Sequence, residues 1–476
     1  MYHFVTGNGI PVVCVPGWYT NSTLIQWFVY AGSINDPANR TGLAHFVEHM
    51  MFKGTKQHPT AQNVSLTLNK YGAYFNASTT QERTCYEVHI DSREWKTGLK
   101  TLAEMMYDST IPEEEIQPEI AVVLNEISRR SGGPVSTLSQ DADAWIWSGT
   151  PYATPVGGIH KDVQAITRND VLDFLGNYYQ PNRMLILIIG DVPAEKQGKR
   201  DIKRILNCDW SKTLLGKAKL NVEKHMIAPF PQAGIPTWWP PFFGETNNIV
   251  HILADFRDGP APMVVGGTDE HPGWPGPAIQ WIPYPSEQSY IRIDFPVKNA
   301  DNHIIFAFCN WVACYFTEGM GSVLFQELRE EKGLVYSVKS GLDTYWPAGI
   351  FSFFTSTKSG EMLQVIRIIF REISRLQKSK LSKKQVDFYR TMTEGIRRIQ
   401  DESPKDWSEE AAYHFFHHQE IPGSNHQNAV DLTPKHIQEF ANTIFCADTC
   451  WISCLGPKPS KKLLEDALKT VKKYIK

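Results

Sequence analysis

Cysteine is scarce in this chain, with 8 among 476 residues, too few for the dense disulfide framework that staples small secreted domains. No run of about eighteen uninterrupted apolar residues occurs, so a membrane-spanning helix is not expected. An excess of one charge is missing as well: 48 Lys and Arg stand against 51 Asp and Glu, a formal net charge of −3. That balance gives no electrostatic reason to expect nucleic acid or an anionic membrane as partner. The stretch from Met1 to Val13 has neither a basic region before an apolar core nor an Arg/Ser-rich amphipathic presequence. It reads as a turn and first strand, and the expected location is the cytoplasm. What is left is a chain with room for roughly two to four domains, and a polypeptide is the expected substrate.

The most informative stretch runs from Gly42 to Met50. His45 and His49 are four residues apart, so on a helix of about 3.6 residues per turn their rings share one face and can reach a common metal ion. Glu48 sits beside them. The order His-x-x-Glu-His inverts the commoner His-Glu-x-x-His and is the inverzincin signature. A catalytic zinc usually takes three protein ligands and leaves a fourth position open, so a third ligand is required. Pro118 to Ile127 reads as a helix carrying Glu119 and Glu126 seven residues, or two turns, apart on one face. Glu126 lies 77 residues beyond His49.

These motifs resemble the pitrilysin-type (M16) zinc metallopeptidases, and the two-domain chain resembles their mitochondrial processing peptidase-like subunits. The resemblance implies one Zn2+ per chain held by His45, His49 and Glu126, with Glu48 as general base and Glu119 supporting the site by orienting a ligand. It extends to Ala31-Gly32-Ser33 before the motif and Met51-Phe52-Lys53-Gly54-Thr55 after it. Tyr74 to Thr79 and Thr84 to Val88 look like the family's paired strands, and the first implies a substrate-binding edge at Phe75, Asn76 and Ala77. An extended peptide can add to such an edge through main-chain hydrogen bonds. Read from the residues alone, the same stretch is a hairpin of strand-favouring side chains.

An internal repeat supplies the architecture. Ile166-Thr167 through Phe174 to Gly190 lies without gaps on Leu432-Thr433 through Phe440 to Gly456, an offset of 266. Each copy reads as a helix, a strand and a glycine. The fold class expected is therefore α+β: two related M16-type domains, each a mainly antiparallel sheet packed with helices. The boundaries expected are 1–225 for the zinc-binding domain, 226–285 for a linker or insertion and 286–476 for the second domain. The same offset sets Trp311, Cys314 and Tyr315 opposite His45, Glu48 and His49, so the second domain carries no zinc ligands there. It does carry Arg329 and Tyr336, which resemble the family's Arg and Tyr pair spaced by seven; the resemblance implies that they bind substrate backbone at the zinc.

The resemblance also implies a closed chamber, a peptide substrate and a homodimer, with a heterodimer of related subunits as an alternative and a non-catalytic assembly subunit as another. Two features stand outside it. Cys446, Cys450 and Cys454 straddle a loop and an apolar strand that would spread their sulfurs over more than about ten ångströms, so buried thiols are expected rather than a metal site. Ala228 to Pro285 holds 12 prolines with Trp238, Trp239, Trp274 and Trp281, which excludes a regular helix and reads either as an irregular linker or as a partner-binding or chamber-lining insertion.

Overall fold

A computed structural model of the chain describes residues 1–18, 21–208, 212–213, 263–266, 277–298, 300, 302–345, 348–418 and 431–475. Three short apolar runs open it as strands β1 (Tyr2–Val5), β2 (Pro11–Pro16) and β3 (Ser22–Val29). Helices α1 (Leu43–Met50) and α2 (Ala61–Asn69) follow, then the hairpin β4 (Tyr74–Thr79) and β5 (Thr84–Asp91). Next come α3 (Trp95–Asp108), α4 (Ile116–Ser131), α5 (Pro134–Ile146), α6 (His160–Gln164), α7 (Arg168–Tyr178), β6 (Met184–Gly190) and α8 (Glu195–Leu206).

The remainder repeats this plan. It runs β7 (Met263–Gly266), β8 (Ala278–Pro283), β9 (Gln288–Lys298), α9 (His303–Phe316), a π-helical segment Phe325–Glu331, β10 (Val335–Tyr345) and β11 (Ala348–Lys358). It ends with α10 (Met362–Lys378), α11 (Lys383–Gln400), α12 (Pro404–His418), α13 (Pro434–Ile444), β12 (Trp451–Gly456) and α14 (Lys461–Tyr474). Two six-stranded sheets result, ordered β1-β2-β6-β3-β5-β4 and β7-β8-β12-β9-β11-β10. They match strand for strand. In each, one pair is parallel, β2 with β6 and β8 with β12, and the rest are antiparallel. The helix–strand–glycine repeat is α7 with β6 and α13 with β12, and both helices begin on the same signal, a capping box from Thr167 and from Thr433. The α+β class with two related domains holds.

Side-chain alternation decides how each sheet is covered. On β6, Met184, Ile186 and Ile188 face a core shared with α1, α3 and α7, whereas Leu185, Leu187 and Ile189 face Ala411, Ala412 and Phe416 of α12. A strand buried on both faces must be apolar throughout, and Met184–Gly190 is. In the second sheet Ile291, Ile293 and Phe295 of β9 face a core with α9 and α10. On the opposite face, Ile282 and Leu455 pack against Leu138 of α5, and Trp145 stacks on Trp451 with centroids 5.2 Å apart.

The chain accordingly forms two units that exchange one helix. The first holds residues 1–130, the described part of 154–208 and α12; the second holds 131–153, which includes α5, together with β7 to β12, α9 to α11, α13 and α14. This departs from the boundaries 1–225, 226–285 and 286–476. Strands β7 and β8 lie inside 226–285 yet belong to the second sheet, and α5 and α12 each serve the sheet of the other half. The physical reason is that β8 must run parallel beside β12 to complete the sheet, while its proline flanks hide it in the sequence. Apart from 263–266 and 277–285, the Pro/Trp-rich stretch lies outside the described residues. Cys450 and Cys454 are buried free thiols and Cys446 is half-buried. No helix among the described residues is long and apolar enough to cross a membrane.

Each exchanged helix is pinned by charge. In the second unit buried Arg292 of β9 meets Asp143 of α5 at 2.8 Å and Asp294 at 2.8 Å, and Ser352 donates to Asp294 at 2.6 Å. In the first, Lys405 of α12 meets buried Glu87 of β5 at 2.9 Å. Removing one partner of a buried network leaves an uncompensated charge, which costs roughly 3–5 kcal/mol. Arg292→Met is therefore expected to destabilise the second unit by that order, read as a lowered denaturant midpoint. The triple variant Arg292→Met/Asp143→Leu/Asp294→Leu is expected to recover most of the loss; a single variant as stable as the parent would remove the network from the account of how α5 is held.

Candidate metal centre

The site begins with a helix that carries no cap of its own. Gly42 precedes α1 at φ 85°, a left-handed conformation that favours glycine, and a Cβ there would sit 2.5 Å from the Gly157 carbonyl oxygen. The carboxylate of Asp36 does the capping from outside, accepting from the backbone N–H of Gly42 at 2.7 Å and of Ala44 at 2.8 Å. An anion at a helix N-terminus satisfies orphan donors and complements the dipole. Phe46, Val47 and Met50 are packed into the core, which locks the rotation of α1 and turns His45, Glu48 and His49 toward α4.

Two turns of α4 face them with Glu119 and Glu126. The His45 and His49 rings lie edge to face with centroids 4.7 Å apart. Glu126 Oε2 is 3.8 Å from His45 Nε2 and 3.6 Å from His49 Nε2, beyond hydrogen-bond length. One ligand atom from each of His45, His49 and Glu126 falls within 4.8 Å of the others, and this is the one such group of three or more His, Cys, Asp or Glu among the described residues. A tetrahedral metal with ligands at about 2.1 Å sets those atoms about 3.4 Å apart, and the carboxylate oxygen of Glu126 stands near that spacing from each imidazole, at 3.8 and 3.6 Å. Buried His45 Nδ1 has no hydrogen-bond partner among the described residues. Burial, followed by the charges of His49 and Arg130 and opposed by that of Glu119, pulls the imidazole down to about 3. Neutral imidazole is the ligand form.

His49 is held differently. Its Nδ1 is 2.6 Å from Glu119 Oε1, the carboxylate–histidine arrangement that fixes a ligand's tautomer and leaves Nε2 free. Burial lowers His49, but the hydrogen bond to Glu119 and the charges of Glu48, Glu119 and Glu126 outweigh it and hold the ring above the usual range. Glu119 is itself neutralised by Lys53. Burial pushes its carboxyl up, and the hydrogen bonds from His49 and Lys53 bring it below the ordinary value. Glu126 Oε1 is taken by Arg130 at 2.5 Å, which leaves Oε2 toward the imidazoles. Glu48 is 8% exposed and accepts from the Thr79 hydroxyl. Burial raises its pKa, opposed by Thr79 and His49. A carboxylate so placed, beside but not within the trio, has the position of a proton acceptor.

The other expected residues fall as follows. Phe75, Asn76 and Ala77 lie on β4, which pairs with β5 on one side and is the edge of its sheet. Asn76 is exposed, and Phe75 packs toward Phe52 with centroids 6.4 Å apart. Arg329 lies in the π-helical segment and Tyr336 on β10, both in the second unit. Tyr336 is 80% exposed, and the Arg329 guanidinium lies over its ring at 5.0 Å and over Phe325 at 4.8 Å. In the second unit, the positions opposite His45 and His49 are filled by Trp311 and Tyr315, stacked at 5.5 Å and 9°. Tyr389 of α11 packs edge-on against both at 5.3 Å.

Sequence reasoning passed over Asp36, Lys53, Thr79 and Arg130 as parts of this site. Arg130 had a legible signal, four residues after Glu126 on one helix face. Lys53 and Thr79 stood in quoted stretches without roles. The remote cap Asp36 had none, because only the loop's path brings it to α1.

Comparison with known proteins matches both halves. The family model "Insulinase (Peptidase family M16)" matches residues 16–158, and "Peptidase M16 inactive domain" matches 165–203 and 274–393. A relative described as an uncharacterized zinc protease, from Rickettsia bellii, is 24% identical over 452 residues, 94% of this chain and 96% of the relative. Mouse cytochrome b-c1 complex subunit 1 is 28% identical over 192 residues, 40% of each chain. The crystal structure of a protease from Helicobacter pylori shares the fold at a TM-score of 0.74 and 21% identity, over 96% of this chain and 99% of that one. With the peptidase family M16 model on the half that carries the His-x-x-Glu-His helix and the inactive-domain model on its repeat, the chain belongs to peptidase family M16.

Proposed function

We propose that the chain is a zinc-dependent endopeptidase that hydrolyses unfolded peptides or a peptide precursor. The observation that carries this reading is the convergence of His45, His49 and Glu126 on one point, with the Glu48 carboxylate beside it. In this reading one Zn2+ is held by those three residues, and when bound it supplies Lewis acidity to the scissile carbonyl and the attacking water. Glu48 takes the proton of that water and delivers it to the leaving amine nitrogen. Glu119 holds His49 in the tautomer that leaves Nε2 free, and Lys53 keeps Glu119 ionised while doing so. The exposed edge of β4 binds the peptide as an added strand through Phe75, Asn76 and Ala77. Arg329 and Tyr336 donate to substrate carbonyls at the site of a second copy of the chain, so the working form is a homodimer.

A second reading is a non-catalytic subunit of the same fold. The match to mouse cytochrome b-c1 complex subunit 1 favours it; the presence of His45, Glu48, His49, Glu119 and Glu126 together weighs against it.

Cleavage of a quenched, unstructured peptide library by the purified chain decides between them. Cleavage lost to a chelator and restored by zinc is the expected result; no cleavage by a zinc-loaded chain would favour the subunit reading or a missing partner. Glu48→Gln is expected to abolish turnover and keep stoichiometric zinc by elemental analysis, whereas His49→Ala loses both. Glu119→Gln is expected to weaken zinc about 10–100-fold in competition with a chromophoric chelator, and wild-type affinity there would separate Glu119 from the site. Mixing inactive Glu48→Gln with inactive Tyr336→Phe chains should restore activity if two copies share a site. Persistent inactivity of the mixture would assign each site to one chain or to a different partner.

A further inference from the structure

One contact of the base leads away from the metal centre. Thr79, the last residue of β4, donates its hydroxyl to Glu48 Oε2, which leaves Oε1 outside that bond. Thr79 opens the turn from β4 to β5, and that turn is clamped from two directions. On one side the backbone N–H of Ser33 donates to the Thr80 carbonyl at 3.2 Å and that of Ile34 to the Gln81 carbonyl at 2.9 Å. The approach is so close that a Cβ on Gly32 would lie 2.4 Å from the Thr80 oxygen. The same segment continues to Asp36, the cap of α1, so the helix bearing Glu48 and the turn bearing Thr79 are referenced to one stretch of backbone.

On the other side stands α12. His417 Nε2 meets Glu82 Oε2 at 3.1 Å, with both residues buried. Arg83 pairs with Glu409 through Nε at 3.1 Å and through its terminal nitrogen. The His417 ring lies edge-on to Tyr30 at 5.4 Å, and Phe416 stacks on the same tyrosine at 5.2 Å. Within the turn, Thr80 Oγ1 accepts from the Arg83 N–H at 3.1 Å and the Thr80 N–H donates to the Arg83 carbonyl at 2.8 Å. The chain of contacts is short: α12 holds Glu82, the rigid turn holds Thr79, and Thr79 holds one oxygen of Glu48.

We propose that Thr79 is a positioning residue for Glu48, and that the buried Glu82–His417 pair sets Thr79 by anchoring the turn from the helix supplied by the carboxyl-terminal half. The proposal rests on reading Glu48 as the base. A hydroxyl that fixes one carboxylate oxygen removes rotamers in which the other points away from the reacting atoms, and loss of such orientation is felt in turnover more than in binding.

The test is a double-mutant cycle on zinc-loaded chains. Thr79→Val should lower kcat about tenfold or more, the worth of a hydrogen bond to a charged group, with KM within about twofold and unchanged zinc content in chains shown to be folded at the assay temperature. Thr79→Ser should restore most of kcat. His417→Leu and Glu82→Ala should each lower kcat in the parent and add little in the Thr79→Val background, since non-additivity marks groups acting through one another. Full activity of Thr79→Val, or additive losses across the cycle, overturns the proposal. Wild-type cleavage and the Glu48→Gln variant in the same assay report separately on the base. A crystal structure of Thr79→Val decides without activity: a displaced or divided Glu48 carboxylate supports the proposal, and an unmoved single rotamer overturns it even if the chain cleaves nothing.

Discussion

The hydrogen bond from His49 to Glu119 is the contact on which the geometry of the site depends. It joins α1 to α4, and it fixes at once which nitrogen of His49 is free, how far the two helices stand apart, and where Glu126 lies two turns further on. The bond exists because Lys53 satisfies the other oxygen of Glu119, which keeps a buried carboxylate ionised that burial alone would neutralise. Asp36 and Arg130 do the same work at the edges of the arrangement. Each removes an alternative partner or an unsatisfied group near the atoms of His45, His49 and Glu126 that lie within reach of one another. An assembly of this kind is polar at its centre and apolar around it, which is how a metal centre holds its shape against relaxation.

The second half shows what the same scaffold does without that requirement. Helices α9 and α11 occupy the places of α1 and α4, at the repeat offset that makes Trp311 and Tyr315 the counterparts of His45 and His49. Tyr389 enters from α11 and closes the space between them. Aromatic packing here does what polar pairing does in the first half, namely to bridge two helices across one gap. The indole N–H of Trp311 is satisfied by the Val386 carbonyl at 3.0 Å, so the plug leaves no orphan donor from that ring. Two chemistries thus solve one packing problem.

Much of this was legible because the signals are local. The helical spacing of His45 and His49, the two-turn spacing of Glu119 and Glu126, and the threonine caps at Thr167 and Thr433 are all set by residues within a few positions of one another. The hairpin of β4 and β5 was legible for the same reason. Thr79 shows the limit, since its alternation on a strand is readable but its meeting with Glu48 depends on a turn clamped by residues from Gly32 to Ile34 and from Glu409 to His417. Strand β8 was hidden by its prolines. The exchange of α5 and α12 was hidden more deeply, because an amphipathic helix announces an apolar face without saying which sheet will cover it.

Apolar burial and charge both bear on that exchange. The first sheet meets α12 with Leu24, Phe28, Leu185, Leu187 and Ile189, and the second meets α5 with Ile282 and Leu455, so the apolar face against α12 is the more extensive. The charges on the strands differ. Glu87 of the first sheet meets Lys405 of α12, whereas Arg292 of the second meets Asp143 of α5 and donates to the Ser139 carbonyl at 3.4 Å. At the repeat offset Lys405 corresponds to Ser139. Docking α12 on the second sheet would set a lysine against a buried arginine and leave Glu87 without its cation, two penalties of the kind that unpaired buried charge imposes. Specificity here comes from what the wrong pairing would cost rather than from what the right one gains. The helix that reaches Glu82, and through the turn the carboxylate of Glu48, is therefore held in part by an ion pair to β5.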